Sequence, residues 1–290
     1  MADETQTISE RIQAKLDDMT RAERQLALSI LENYPASGLG SLSTLAKGAQ
    51  VSVPTVARMV QKLGYKGYPE FQADLRDELG AIAKGPIAKH DTWAGAAPSE
   101  HILNRFTDAV IDNIRNTLSQ IDPKAFDTAC ALVADEKRHL YIVGGRITHT
   151  LAEYLFLHMQ MIRPNLTHVR STSNTWPHDL LNAGDGDVFV IFDVRRYENN
   201  TLKLAEMARA RGAKIVLFTD QWHSPVHPLA DVSLTCRIIV PSAWDSATAT
   251  MLLVESMIAA VQNLNWDRTK ERMQELEELF DKTKLFRKFT

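Results

Sequence analysis

A polar and basic stripe between Ser52 and Lys66 has the residue types that proteins use to read DNA. Its central residue, Arg58, carries a planar guanidinium that can donate two parallel hydrogen bonds to O6 and N7 of guanine. Lys62 and Lys66 are better suited to phosphate, which is recognised by charge more than by shape. The chemistry expected is base recognition flanked by phosphate contacts. The predicted DNA-contacting residues are Ser52, Pro54, Thr55, Arg58, Gln61, Lys62 and Lys66.

The charge around this stripe differs from that of the whole chain. The 290 residues contain 33 Lys plus Arg against 36 Asp plus Glu, a net charge of −3. Between Asn33 and Pro69 there is no carboxylate, and Lys47, Arg58, Lys62 and Lys66 give the window a charge of +4. Because duplex DNA is a dense polyanion, a local basic face in an acidic protein indicates a small DNA-binding module.

Two short predicted helices position the stripe. The first begins at Ser41 or Ser43 and ends at Lys47, and the second begins after Ser52, a good N-cap, with Pro54 in its first turn. The face opposite Arg58 is apolar and is expected to form a core: Val56, Met59, Val60 and Leu63. Two short helices with a basic face favour DNA binding, although the pattern also occurs in domains that bind no nucleic acid.

The remaining chain predicts a second, different domain. Helical spacing at 8–34 and 70–79 is followed by a Gly-, Ala- and Pro-rich stretch at 80–99, which is expected to be a linker. Beyond it, short apolar runs alternate with helical stretches, which predicts a parallel sheet covered by helices on both faces. The expected strands are 139–143, 188–192 and 214–219, and the expected helices are 100–119, 123–134, a stretch ending at 162, and 199–211.

Composition excludes several classes of protein. The N-terminus is acidic and polar, unlike a signal peptide, and no apolar run reaches the roughly 20 residues of a membrane span. Cys130 and Cys236 form no CxxC pair, and Pro225 prevents a regular helix between His223 and His227, so we expect no metal site and no cofactor. We expect a cytoplasmic protein without a membrane partner.

The C-terminal segment from Trp266 to Phe286 has a broken apolar stripe. Trp266, Met273, Leu276 and Phe280 approximate a 3,4 spacing, and Thr269 interrupts it. Two interpretations remain open: a terminal helix packed on its own domain, or a contact shared between subunits.

The DNA-reading stripe resembles a known family. The chain has Val51-Ser52, Thr55-Val56, Arg58, and then Lys62-Leu63-Gly64-Tyr65-Lys66-Gly67-Tyr68-Pro69 and Phe71. This run resembles the N-terminal helix-turn-helix of RpiR-type bacterial transcriptional regulators. Gln50 departs from the pattern, since a turn glycine is common there. The resemblance implies a dimeric regulator that binds a palindromic or repeated site in double-stranded DNA.

The second domain resembles the sugar isomerase (SIS) domain of the same family, most clearly from Ala213 to Thr219 and in the loop that follows. The implied organisation is a helix-turn-helix domain at 1–79, the linker at 80–99, an α/β SIS domain at 100–265 and a C-terminal helix at 266–290. Such domains usually hold a phosphosugar or another carbohydrate derivative. They use a Gly-x-Gly-x-Ser turn after the first strand and a Ser-x-Ser-Gly-x-Thr loop after a later strand.

Both loops are altered here. The first reads Gly144-Gly145-Arg146-Ile147-Thr148, and the second reads Asp193-Val194-Arg195-Arg196-Tyr197-Glu198. Three arginines can bind an anion by bidentate pairing, or Asp193 can pair with them and close the site. The predicted effector-binding residues are Gly144, Gly145, Arg146, Thr148, Asp193, Arg195 and Arg196.

Three functional interpretations follow. The leading one is a regulator, not an enzyme, whose SIS domain senses a small anionic metabolite and alters operator binding, as a homodimer or homotetramer. The second is a sugar-phosphate isomerase or lyase, for which Glu153, Glu198 and Glu255 are the available bases. The third is a regulator with a vestigial ligand site.

Overall fold

A computed structural model describes residues 6–32, 34–95, 101–170 and 175–287. The chain forms two compact units. The first, the helical unit, comprises residues 1–111 together with 220–228 and 238–246. The second, the sheet unit, comprises 112–219, 229–237 and 247–290. Within the described ranges no helix is both long and apolar enough to cross a membrane.

The first six α-helices of the described ranges lie before residue 96. They are α1 Ile8–Ala14, α2 Arg21–Glu32, α3 Leu42–Gly48, α4 Val53–Lys62, α5 Tyr68–Ala83 and α6 Pro86–Gly95. Side-chain caps start several of them: Thr7 forms a capping box with Glu10, and Ser52 accepts the backbone N–H of Thr55. The predicted helix at 8–34 is therefore two helices, because Thr20 and Glu23 exchange hydrogen bonds that begin a new one at Arg21.

The predicted linker contains helical structure. α5 continues to Ala83, four residues past the expected end, and α6 starts at Pro86, where proline suits the first helical turn. Lys89 is 7% exposed and its Nζ lies 2.6 Å from Oδ1 of Asp245. The Gly-, Ala- and Pro-rich composition predicts a linker, but alanine is also the strongest helix former. Residues 96–99 of the predicted linker lie outside the described ranges, and the domain limits stay predictions.

The second half of the chain alternates strands and helices as predicted. The elements are α7 Ile102–Gln120, α8 Pro123–Ala134, β1 Leu140–Gly144, α9 His149–Ile162, β2 Leu166–His168, α10 Trp176–Asn182, β3 Val188–Phe192, α11 Asn199–Ala210, β4 Lys214–Asp220, β5 Val232–Cys236, α12 Thr248–Leu264 and α13 Trp266–Thr283. Two short strands are not among those expected from the sequence: β2, which has three residues, and β5, whose side chains alternate between buried and half-buried.

The sheet has five strands in the order β2-β1-β3-β4-β5, and β1 pairs in parallel with both β2 and β3. β1 and β3 are buried along their whole length, which explains their uninterrupted apolar sequences. The strand order reverses between β1 and β3, and Gly144 pairs with Phe192 at their carboxyl ends. Ligands of open α/β sheets bind at such a reversal, so the topology brings the two altered loops together at the expected ligand position.

The C-terminal helix packs on its own domain. Thr269, which interrupts the apolar stripe in sequence, is fully buried, and α13 contacts α9. Arg272 donates from Nε to the carbonyl of Gln160 at 3.0 Å, whereas Trp266 is 46% exposed. Of the two interpretations left open by the sequence, packing within the domain is therefore observed, and a role between subunits stays a prediction.

Candidate DNA-reading surface and effector crevice

The two faces of α4 divide as the sequence predicts. Val56, Met59, Val60 and Leu63 are at most 2% exposed and form the core of the helical unit with α2, α3 and α5. Ala46 of α3 is also buried, where α3 packs on α4. Of the predicted DNA-contacting residues, those that are exposed are Ser52, Pro54, Arg58, Gln61 and, beyond the helix, Lys66, and Val53 beside them is exposed as well. The exposed face is therefore mostly polar and basic, and we call the five exposed DNA-contacting residues the reading surface.

Thr55 does not belong to this surface. Its side chain is 5% exposed, so the expectation that it lies on the exposed stripe is wrong. Its hydroxyl lies 2.8 Å from Oγ of Ser52 and accepts a hydrogen bond from Nη2 of Arg58 at 3.3 Å. Thr55 falls on the boundary of the apolar face because it sits in the first turn, beside its cap. It can orient Arg58 rather than contact DNA itself.

Lys62 is also engaged within the protein. Its Nζ donates to Oε2 of Glu23 at 2.7 Å and to the carbonyl of Asp18 at 2.9 Å. Burial acts to raise the pKa of Glu23, but hydrogen bonds from Lys62 and Thr20 outweigh it and lower the pKa. Lys62 therefore ties α4 to α2, which differs from the expected role as a phosphate anchor. This contact has no local signal in the sequence, because the two partners are 39 residues apart.

The turn between α3 and α4 has an unusual backbone. Gln50 has a φ of 54°, in the left-handed region that glycine adopts most easily. A backbone hydrogen bond spans this turn: the N–H of Val51, the residue after Gln50, donates to the carbonyl of Ala46 at 2.9 Å. The departure of Gln50 from the family pattern therefore falls at a position where the backbone favours glycine.

A buried polar network supports α1 within the helical unit. Oε1 of Glu78 accepts the backbone N–H of Ile8 at 2.8 Å, and the hydroxyl of Tyr34 donates to the same carboxylate. Burial raises the pKa of Glu78 to about 7. Ser9 Oγ lies 2.8 Å from Nε2 of His223, whose pKa is lowered by burial to about 3. His223 is thus a half-buried, neutral residue in a loop, in agreement with the sequence interpretation.

The loops after β1 and β3 are joined by Thr148. Its hydroxyl accepts the backbone N–H of Gly145 at 2.8 Å and donates to the carbonyl of Phe192 at 2.9 Å. Gly144 is required by the tight turn, since a Cβ there would lie 2.5 Å from backbone atoms of Thr148. The predicted residues of the first loop therefore shape a compact turn against the end of β3.

A carboxylate that the predicted site did not include occupies this turn. Oε1 of Glu198 accepts the backbone N–H of Arg146 at 2.7 Å, and a Cβ on Gly145 would lie 2.7 Å from the same oxygen. Glu198 is the last residue of the altered second loop, where the family pattern has Thr. Its position directly before the predicted helix at 199 was the available signal, because helix N-termini attract carboxylates.

The other predicted residues differ in exposure. Asp193 is 3% exposed, and its Oδ1 lies 3.5 Å from the backbone nitrogen of Glu198. Arg195 is half-buried, while Arg146 and Arg196 are exposed. We call the group formed by the two loops, Gly144–Thr148 and Asp193–Glu198, the crevice.

The carboxylates considered as catalytic bases have separate surroundings. Glu255 accepts a hydrogen bond from the hydroxyl of Tyr154 at 3.1 Å, and Oε2 of Glu153 lies 3.7 Å from Nε2 of His149. Glu198 contacts the backbone of Arg146. Each carboxylate therefore has its own structural partner.

Two family models match the chain, one in its N-terminal part and one in its C-terminal part. Residues 6–81 match the helix-turn-helix domain of the rpiR family, and residues 133–260 match the SIS domain. The chain belongs to the RpiR-type regulators. Both the family and the fold class predicted from the sequence are confirmed.

Individual relatives agree with this assignment. The transcriptional regulator HexR of Pseudomonas aeruginosa is 26% identical over 235 residues, which are 78% of this chain and 76% of HexR. Among solved structures, the sugar isomerase domain of an RpiR transcription factor from Sphaerobacter thermophilus covers 61% of this chain and 97% of its own, with a TM-score of 0.55 and 22% identity. NanR of Vibrio vulnificus, solved with ManNAc-6P, covers 95% of this chain and 98% of its own, with a TM-score of 0.54 and 19% identity. These matches support a DNA-binding regulator, and the two structures show a shared fold.

Proposed function

We propose that this RpiR-type protein binds operator DNA through the reading surface and senses a small anionic metabolite in the crevice. Arg58 reads base edges, and Lys66 with the N-terminus of α4 contacts phosphates. Anion binding between β1 and β3 changes the operator affinity of a homodimer or homotetramer. No catalytic step is needed, and the regulators among the relatives support this preference over an isomerase.

One observation carries the ligand class. The backbone N–H of Arg146 already holds a carboxylate oxygen, that of Glu198, at 2.7 Å. The donor therefore points to a position where negative charge is accepted, and the two loops carry three arginines that can pair with an anion. The NanR protein solved with ManNAc-6P supports a phosphorylated ligand, and the loss of the usual hydroxyl-rich loop supports an acid other than an ordinary aldose phosphate.

A gel-shift titration tests the proposal. Labelled DNA from upstream of the chain's own gene is mixed with the protein and a panel of sugar phosphates and organic acids. At least one anion should change operator affinity by about 5- to 150-fold, the usual range of allosteric coupling. Arg195→Ala should abolish this response while leaving operator binding without the anion intact.

Arg115→Ala is the matched control, because Arg115 is exposed on α7 and its side chain makes only a surface ion pair of 3.6 Å among the described contacts. It should respond as the unmodified protein does. Tight sugar-phosphate binding that Arg195→Ala does not change would contradict the proposed ligand site. Failure to form any sequence-specific complex would contradict the regulator itself.

A further inference from the structure

The crevice contains its own anion. The carboxylate of Glu198 accepts the amide N–H of Arg146, and it lies so close to Gly145 that a Cβ there would be 2.7 Å from Oε1. Glu198 belongs to the loop after β3, whereas Arg146 belongs to the loop after β1. The contact therefore joins the two loops across the point where the strand order reverses.

In the proposed site, an incoming anion accepts a hydrogen bond from the amide of Arg146, which is the donor that Glu198 uses. One N–H forms one strong hydrogen bond, so a phosphate or carboxylate cannot accept from Arg146 while Oε1 of Glu198 remains at 2.7 Å. A second negative charge at this distance is also repelled, since like charges within a few ångströms disfavour each other. The ligand and the Glu198 carboxylate must therefore exclude one another.

We propose that Glu198 is an intramolecular competitor, and that a phosphate or carboxylate ligand enters the crevice by displacing its carboxylate from the amide of Arg146. This inference rests on the proposed anion site and adds how that site is regulated. Glu198 thereby lowers the affinity for simple anions and selects ligands with enough further contacts to replace it.

The displacement also has a structural route. Glu198 directly precedes α11, and its backbone nitrogen lies 3.5 Å from Oδ1 of the buried Asp193. When the carboxylate leaves Arg146, the contact between the β1 loop and the first turn of α11 is broken. Ligand binding then changes how the two loops are joined, while Thr148 keeps its bonds to Gly145 and Phe192.

Calorimetric titration of the full chain with inorganic phosphate, in a buffer free of other multivalent anions, tests this inference. Glu198→Gln removes the charge and keeps the shape, and it should bind phosphate about ten-fold more tightly than the unmodified protein, because a charge-assisted hydrogen bond is replaced by a weaker neutral one. Glu198→Ala should bind at least as tightly as Glu198→Gln.

Glu206→Gln is the matched control, since Glu206 is exposed on α11 and the substitution makes the same charge change. It should leave phosphate affinity unchanged. If Glu198→Gln binds phosphate no more tightly than Glu206→Gln, the competitor role is wrong. Thermal unfolding verifies that each variant is folded, and Glu198→Gln decides the result if Glu198→Ala does not fold.

The outcome separates this inference from the proposed function. Tighter phosphate binding by Glu198→Gln supports the competitor role even if no anion changes operator affinity, a result that would overturn only the regulatory proposal. Conversely, an anion response that requires Arg195 but is unaffected by Glu198→Gln would retain the proposed function and overturn the competitor.

Discussion

At the scale of single residues, the reading surface is narrower than the sequence pattern suggests. Thr55 is turned inward and bonds to Arg58, and Lys62 is held by Glu23. The basic groups left on or beside the exposed face include Arg58 and Lys66. Arg58 is therefore the residue best able to distinguish bases, because its side chain is exposed and its guanidinium is oriented by a hydrogen bond to the hydroxyl of Thr55.

Replacing Arg58 with Ala should reduce operator affinity by about 1–3 kcal/mol and relax the preference at one base pair, as expected for loss of a bidentate base contact. Gel shifts against the operator and single-base variants measure both effects. Lys124→Ala, at an exposed site on α8, serves as a control for lost positive charge. A complex with unchanged affinity and preference in Arg58→Ala would mean that α4 is not the reading helix.

At the scale of elements, the turn between α3 and α4 fixes how the reading surface is presented. Its left-handed residue is Gln50, with a φ of 54°. A residue with a side chain costs about 1–2 kcal/mol of stability in this backbone region. Glycine avoids that cost, but part of the gain is lost because glycine makes the unfolded chain more flexible.

Gln50→Gly should therefore raise the free energy of unfolding by up to about 1 kcal/mol, and Gln50→Val should lower it by about 1 kcal/mol because β-branched residues resist positive φ. Urea unfolding gives both values. Gln61→Gly provides the opposite case, since glycine inside α4 should cost about 1 kcal/mol. Equal effects of glycine at positions 50 and 61 would exclude a backbone origin.

At the scale of the whole molecule, two compact units mean two sources of stability, and they should respond differently to pH. In the helical unit, the buried carboxyl of Glu78 has its pKa raised from 4.5 to about 7, chiefly by burial. Glu10 and Asp74 add repulsion, while Tyr34 and the N–H of Ile8 donate hydrogen bonds that partly oppose the shift. The folded unit therefore holds this proton more tightly than the unfolded chain does.

Because the pKa is higher in the folded state, the stability contributed by protonated Glu78 is full below about pH 4.5 and is lost as the pH rises through about 7. We expect a loss on the order of 1–3 kcal/mol from this group, with screening reducing the upper value. Calorimetry between pH 5 and 8 should show this loss of stability in only one of the two unfolding transitions, that of the helical unit. Glu78→Gln should flatten that dependence, and the exposed Asp77→Asn should not; an unchanged slope in Glu78→Gln would assign the effect to other groups.

The sequence predicted features that depend on near neighbours. Ser52 as a cap, Pro54 in the first turn and the limits of β3 all follow from short-range sterics and hydrogen bonding. It did not predict the partners of Lys62 and Arg146, which lie 39 and 52 residues away in the chain. Such contacts depend on how helices and strands pack, which periodicity does not encode. The two altered loops do follow neighbouring strands, β1 and β3, whereas the contact of Glu198 with Arg146 is not predictable from the local sequence.

The ion pair between Lys89 and Asp245 bears on how this protein can be divided for study. A fragment begun at residue 100 would keep Asp245 and lose the ammonium that lies 2.6 Å from it. Removing one partner of a mostly buried ion pair is destabilising. Expression of the C-terminal half alone is therefore better started before Pro86, so that α6 stays attached.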